Sequence, residues 1–132
     1  MGMRIFVLML LAATPLSAEK AMNADAFDAY TAGKTITFGR TGEPAYGMEQ
    51  YQPNRRVVWQ FIGGDCSNGV WYESKGNICF HYDADPESKC WKFYDDPKGL
   101  RAEFVNRPES GVFYQAQDSQ ETLSCPGPDL SS

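Results

Sequence analysis

The chain has 132 residues, 42% hydrophobic and 14% aromatic, with 12 basic against 17 acidic side chains and a net charge of −5. That is the length of one domain. The acidic balance argues against nucleic acid and anionic membrane surfaces, whose phosphates need a basic face.

Residues 1–18 carry three zones in order. A short start with one cation, Arg4, leads into an unbroken apolar run over residues 5–13 (IFVLMLLAA), then into the helix-breaking, small-residue exit TPLSA before Glu19-Lys20. This order predicts a cleavable secretory signal peptide over 1–18. The apolar run is about half the ~20 residues that span a bilayer, so no membrane anchor is expected after cleavage. No cysteine lies near the proposed cut, which argues against a lipid anchor. The protein is therefore expected in the periplasm or outside the cell, with one β-rich domain over 19–116.

A short N-terminal helix is predicted over 24–32. Asn23 or Asp25 can cap it, Phe27 and Tyr30 fall on one face, and Gly33 suits a left-handed stop. Beyond Gly33 the apolar period changes to two. Strands are predicted over 34–38 (KTITF), 45–51 (AYGMEQY), 55–62 (RRVVWQFI), 68–73, 77–82, 89–94 (KCWKFY), 100–106 and 112–116. Turn chemistry separates them: Pro53-Asn54, Gly63-Gly64-Asp65, Ser74-Lys75-Gly76, the loop 83–88 (DADPES), 95–99 (DDPKG) and 107–111 (RPESG). Residues 117–132 read as a polar coil tail held by Cys125. Eight short strands at roughly ten-residue spacing predict an all-β antiparallel meander, closed as a small barrel or folded as a sandwich.

All four cysteines, Cys66, Cys79, Cys90 and Cys125, follow the signal segment, so two disulfides are expected in an oxidising compartment. Zinc is the weaker reading, since no C-x-x-C occurs and His81 is the single histidine. Alternation puts Ile78, Phe80 and Tyr82 on one face with Cys79 on the other, and Trp91 and Phe93 on one face with Cys90 on the other. If both aromatic faces are core, Cys79 and Cys90 meet across one hairpin. Cys66–Cys125 then ties the tail to the glycine turn, closing a loop worth on the order of 4 kcal/mol by chain entropy. A one-residue bulge would turn these faces over.

The chemistry-bearing residues form no recognisable catalytic constellation. His81 is the sole imidazole, its neighbour Cys79 is expected to be oxidised, and no G-x-S-x-G elbow occurs. Asp83, Asp85 and Glu87 alternate as in some calcium loops, but Ser88 and Tyr94 occupy the glycine and final glutamate positions of an EF-hand. A solvated acidic loop is the simpler reading. Glu43, Glu49, Glu73 and Glu103 supply carboxylates for glycoside hydrolysis only if two of them face each other, which their spacing does not indicate. No metal or cofactor is expected.

Aromatic abundance remains. Tyr46, Trp59, Trp71 and Trp91 are candidates for lining a barrel mouth or open sheet face. The chain is thus expected to be a non-catalytic binding or interaction protein. Its partner would be either a small apolar ligand, held in lipocalin-like fashion, or an unknown protein. In the second case the expected role is inhibition of an envelope-directed hydrolase such as lysozyme, engaged through the acidic loop at Asp83, Asp85 and Glu87.

In order along the chain stand Gly33-Lys-Thr35, Tyr46-Gly47, Tyr51-Gln-Pro53, Arg56-Val-Val-Trp59, Cys66-Ser-Asn-Gly69-Val-Trp71, Ile78-Cys79-Phe80-His-Tyr82 and Cys90-Trp91. This pattern resembles a group of small exported bacterial proteins with no known activity. The resemblance implies export and a β fold. It makes Cys66, Cys79 and Cys90 the recurrent cysteines and Cys125 an addition, which leaves open a bridge from Cys66 to Cys79 or Cys90.

Overall fold

The computed structural model describes Gly2, Ala12, residues 19–116 and residues 122–125. Nearly all of the signal peptide expected over 1–18 and most of the tail expected over 117–132 lie outside the described residues.

One helix precedes eight strands. Helix α1 spans Ala24–Thr31, followed by β1 (Thr35–Gly39), β2 (Ala45–Tyr51), β3 (Arg56–Phe61), β4 (Cys66–Ser74), β5 (Asn77–Tyr82), β6 (Lys89–Asp96), β7 (Gly99–Phe104) and β8 (Val112–Gln115). Each strand pairs antiparallel with its sequence neighbour, and β1 pairs with β8 through Phe38↔Gln115 and Gly39↔Tyr114. The meander is a closed barrel, not a sandwich. Closure leaves no free sheet edge.

Local chemistry accounts for the boundaries. Asn23 is the cap of α1, its side-chain oxygen accepting from the Ala26 N–H at 2.9 Å. The helix stops one residue short of the predicted end, with Ala32 as its C-cap and Gly33 following in the left-handed region at φ 74°. Lys75 and Gly76 both have positive φ, so β4 and β5 join through a two-residue turn of the type that matches strand twist. Some strands run beyond their predicted ends. β4 begins at Cys66, which pairs with Gln60, and Asp96 pairs with Gly99 across a loop of only Pro97 and Lys98.

The aromatic faces point inward, and α1 closes one end of the barrel. Phe27 is fully buried, with its ring centroid 5.6 Å from Tyr51, 5.1 Å from Trp71, 6.2 Å from Phe80 and 4.6 Å from Phe93. Three of those pairs are edge-to-face, an arrangement favoured by the ring quadrupoles. Tyr30 fastens the helix to the wall, its hydroxyl donating to Gln115 Oε1 at 2.7 Å, and the Met22 N–H donates to the Phe93 carbonyl at 2.8 Å.

The disulfides join Cys79 to Cys90 and Cys66 to Cys125. Cys79 and Cys90 are direct cross-strand partners on the outer face, their Cα atoms 4.0 Å apart. The Cys66–Cys125 link is reinforced by Gln60, whose amide oxygen accepts from the Ser124 N–H and whose amide nitrogen donates to the Ser124 carbonyl. Replacing Cys125 with serine is expected to remove about 4 kcal/mol from the oxidised fold. Urea denaturation would check this, and a loss under 1 kcal/mol would show that the Gln60–Ser124 bonds alone hold the segment.

Candidate functional site

Above the plug formed by Phe27, the barrel is not filled. Strand alternation aims Phe38 (β1), Glu49 and Tyr51 (β2), Trp59 and Phe61 (β3), Phe80 and Tyr82 (β5), Trp91 and Phe93 (β6), Ala102 and Phe104 (β7) and Phe113 (β8) into a cavity of about 510 Å³. Two features leave the room. Ala102 sits in register between Phe93 and Phe113, so one small side chain faces two large ones. Gly47 lets the Trp59 indole lie across β2, since a Cβ there would come within 2.3 Å of that ring.

A bulge recruits one further aromatic. The β1–β2 register shifts between Phe38↔Gly47 and Gly39↔Ala45, leaving Tyr46 with no partner on β1. The extra residue turns Tyr46 toward the mouth. There its ring meets Phe61 at 5.3 Å, Phe113 at 5.0 Å and Trp59 at 6.1 Å. The mouth is also bordered by Arg40, Ser67, Ala84, Asp85, Lys89, Arg107 and Ser110.

The mouth's charges are mutually compensated. Lys89 Nζ lies 3.1 Å from Asp85 and 3.8 Å from Glu87; Arg107 lies 3.4 Å from Glu87, and Arg40 lies 3.7 Å from Glu43. Asn106 also donates to Glu87 at 2.9 Å. Two apolar faces take part as well: the Arg40 guanidinium sits 4.3 Å from the Phe113 ring centroid and that of Arg107 sits 5.8 Å from Phe104.

Deep in the cavity wall stands a buried carboxyl side chain. Glu49 is 2% exposed. Its Oε1 accepts from the Tyr82 hydroxyl at 2.8 Å, while Oε2 is buried with no hydrogen-bond partner among the described residues. Burial pushes the Glu49 carboxyl up to about 8, against the opposing pull of the Tyr82 hydrogen bond. The same burial, with Glu49 beside them, holds the Tyr51 and Tyr82 hydroxyls well above the usual phenol range. At neutral pH the wall therefore presents a protonated acid.

Of the residues singled out from sequence, Tyr46, Trp59, Trp91 and Asp85 line the cavity. Trp71 does not. It belongs to the closed end, packed on Phe27 and covered by the Arg55 guanidinium at 4.5 Å. Asp83 is exposed on the loop, and Glu87 is engaged by Lys89, Arg107 and Asn106. Among the described residues, no group of three histidine, cysteine or acidic side chains can hold a metal ion. His81 is exposed, with Nδ1 3.2 Å from the Ser88 hydroxyl. The four glutamates do not converge: Glu43 and Glu103 pair with Arg40 and Arg101, Glu73 accepts from the Ala24 N–H, and only Glu49 enters the barrel.

Sequence reasoning does not single out the phenylalanines of the wall, and it singles out Glu49 only as a candidate hydrolytic acid. A weak signal existed. Gly47, Glu49 and Tyr51 share one face of a strand, so an acid on the inward face was implied once that strand faced the core. Compared with protein families, with curated proteins and with solved structures, the chain matches none.

Proposed function

We propose that the protein is an exported, non-catalytic binder that holds a small, largely apolar ligand inside its barrel. The observation that carries this reading is the aromatic-walled cavity of about 510 Å³, closed by α1 at one end and open at the other. Ligand sites are commonly concave, mostly apolar and furnished with a few placed polar groups. Two disulfides support an oxidising, extracytoplasmic setting. Among the described residues, no helix is long and apolar enough to cross a membrane. The acidic loop supports a basic protein partner less well, because Asp85 and Glu87 already have cationic neighbours.

N-phenyl-1-naphthylamine, a neutral fluorophore with three aromatic rings, serves as the probe. Its emission is expected to rise and saturate on titration with the protein at equimolar stoichiometry. Ala102→Phe, which projects a third ring between Phe93 and Phe113, is expected to weaken that binding at least about tenfold. Near-UV circular dichroism would confirm that the variant is folded. Binding unchanged by Ala102→Phe would put the probe on the outer surface and sink the proposal.

A further inference from the structure

The Glu49 carboxyl, buried in the wall beside the Tyr82 hydroxyl, calls for a more specific occupant than an apolar body. A buried polar atom without a partner is costly, and native structures leave few of them. Glu49 Oε2 is such an atom. The inward-facing groups around it are the β1 partner Ile36, the β3 partner Trp59, Tyr51 two residues along its own strand, and Tyr82 reaching across from β5. None of these brings a positive charge. The cations that border the cavity, Arg40, Lys89 and Arg107, each have a carboxylate of their own at the mouth.

We infer that the cavity takes a small organic amine with an aromatic or aliphatic body, its ammonium group pairing with Glu49 between the faces of Trp59, Tyr51 and Tyr82. This rests on the cavity-binder reading and adds the ligand's charge. Three properties of the site converge on a cation. An ammonium supplies donors to Oε2 of the ionised carboxylate, which has none among the described residues. It supplies the charge that makes an ionised Glu49 tolerable in an apolar wall. It also finds π-faces around it, and these attract cations most strongly where water is excluded. A neutral donor would satisfy only the first property. An anion would meet the acid directly, and at the mouth would have to displace carboxylates already in place.

Proton release follows from the same geometry. Glu49 is protonated in the empty barrel at pH 7, and pairing with an ammonium requires its carboxylate form. Binding should therefore expel a proton from Glu49 to the buffer. The measured heat at pH 7 should then differ between phosphate and Tris by up to one proton's difference in buffer ionisation enthalpy.

The test is calorimetric titration at pH 7 with three indoles of common body and different head: tryptamine (ammonium), tryptophol (hydroxyl) and indole-3-propionate (carboxylate). N-phenyl-1-naphthylamine fluorescence is run beside it as the check on the cavity. Tryptamine is expected to bind at least about tenfold more tightly than tryptophol, as a charge-assisted bond should over a neutral one. Glu49→Gln, isosteric with the protonated acid, should abolish that preference, with near-UV circular dichroism as the check that the variant is folded. Tyr82→Phe, which keeps the acid, should retain the preference. Tryptophol binding as tightly as tryptamine, or indole-3-propionate binding most tightly, overturns the ammonium inference. If naphthylamine still binds in that case, the cavity reading stands. Binding by neither the naphthylamine nor any of the indoles overturns both.

Discussion

Replacing Phe27 with alanine is expected to destabilise the protein by about 3–5 kcal/mol, the usual cost of deleting a large aromatic from a closed core. The side chain is wholly buried and touches rings from β2, β4, β5 and β6 at once. No other residue of α1 reaches so far, and an eight-residue helix has little stability of its own. Losing the ring therefore removes the reason for the helix to dock. It also opens the barrel at the end where Tyr51, Phe80 and Phe93 form the floor of the cavity. Urea denaturation of the oxidised protein should show a lower midpoint with little change in slope. Asp28→Ala, one residue on and exposed, should move the midpoint by less than about 0.5 kcal/mol equivalent. A loss under 1 kcal/mol for Phe27→Ala would mean that the end of the barrel is held by the strands alone. Because the plug is also the cavity floor, the same variant should weaken naphthylamine binding.

The fold was largely legible because each element announces itself locally. The capping Asn23, the switch from helical to alternating period after Gly33, and the turn residues every ten positions or so are short-range signals. They place all eight strands to within a few residues. The Cys79–Cys90 bridge follows from alternation once both aromatic faces are core, since inward Phe80 and Trp91 leave the cysteines outward and opposite. Closure was not legible. It depends on Phe38 and Gly39 reaching Gln115 and Tyr114, a pairing across most of the chain that no local pattern encodes. The site suffers from the same gap. Trp71 and Trp59 look alike in sequence, yet one lies under the helix plug and the other on the open cavity wall. Tyr46 reaches the mouth through a bulge that its alternating surroundings conceal. Glu49 and Tyr82 are separated by two intervening strands, so their hydrogen bond appears only when the barrel is closed.

Stability of the empty protein is expected to fall as pH rises from about 5 to 8, opposite to the usual acid-labile behaviour, and Glu49 is the cause. Its carboxyl lies near 4.5 in ordinary surroundings and near 8 in the folded wall. Between those values the folded state keeps a proton that the unfolded chain has released, so the native state binds more protons and unfolding becomes easier as pH rises. The slope from a group fully split in this way is about 1.4 kcal/mol per pH unit, which over the window accumulates to on the order of 4 kcal/mol. Other perturbed groups act outside that window. Tyr51 and Tyr82 are pushed up from a range already above it, and Asp85 is held down, so that its contribution is lost only in more acidic solution. Glu49→Gln removes the ionisation while keeping the shape. It should therefore match the parent near pH 5, flatten the profile, and exceed the parent by several kcal/mol at pH 8.5. Urea midpoints at half-unit intervals across pH 5–8.5 would measure both curves. Parallel profiles would show that Glu49 is already solvated, most simply by water entering from the mouth, and would place the wall's polarity elsewhere. A steep parental profile flattened by the variant would mean that the fold gives up stability to keep an acid inside an aromatic barrel. That is the expected cost of a residue retained for what it binds rather than for what it packs against.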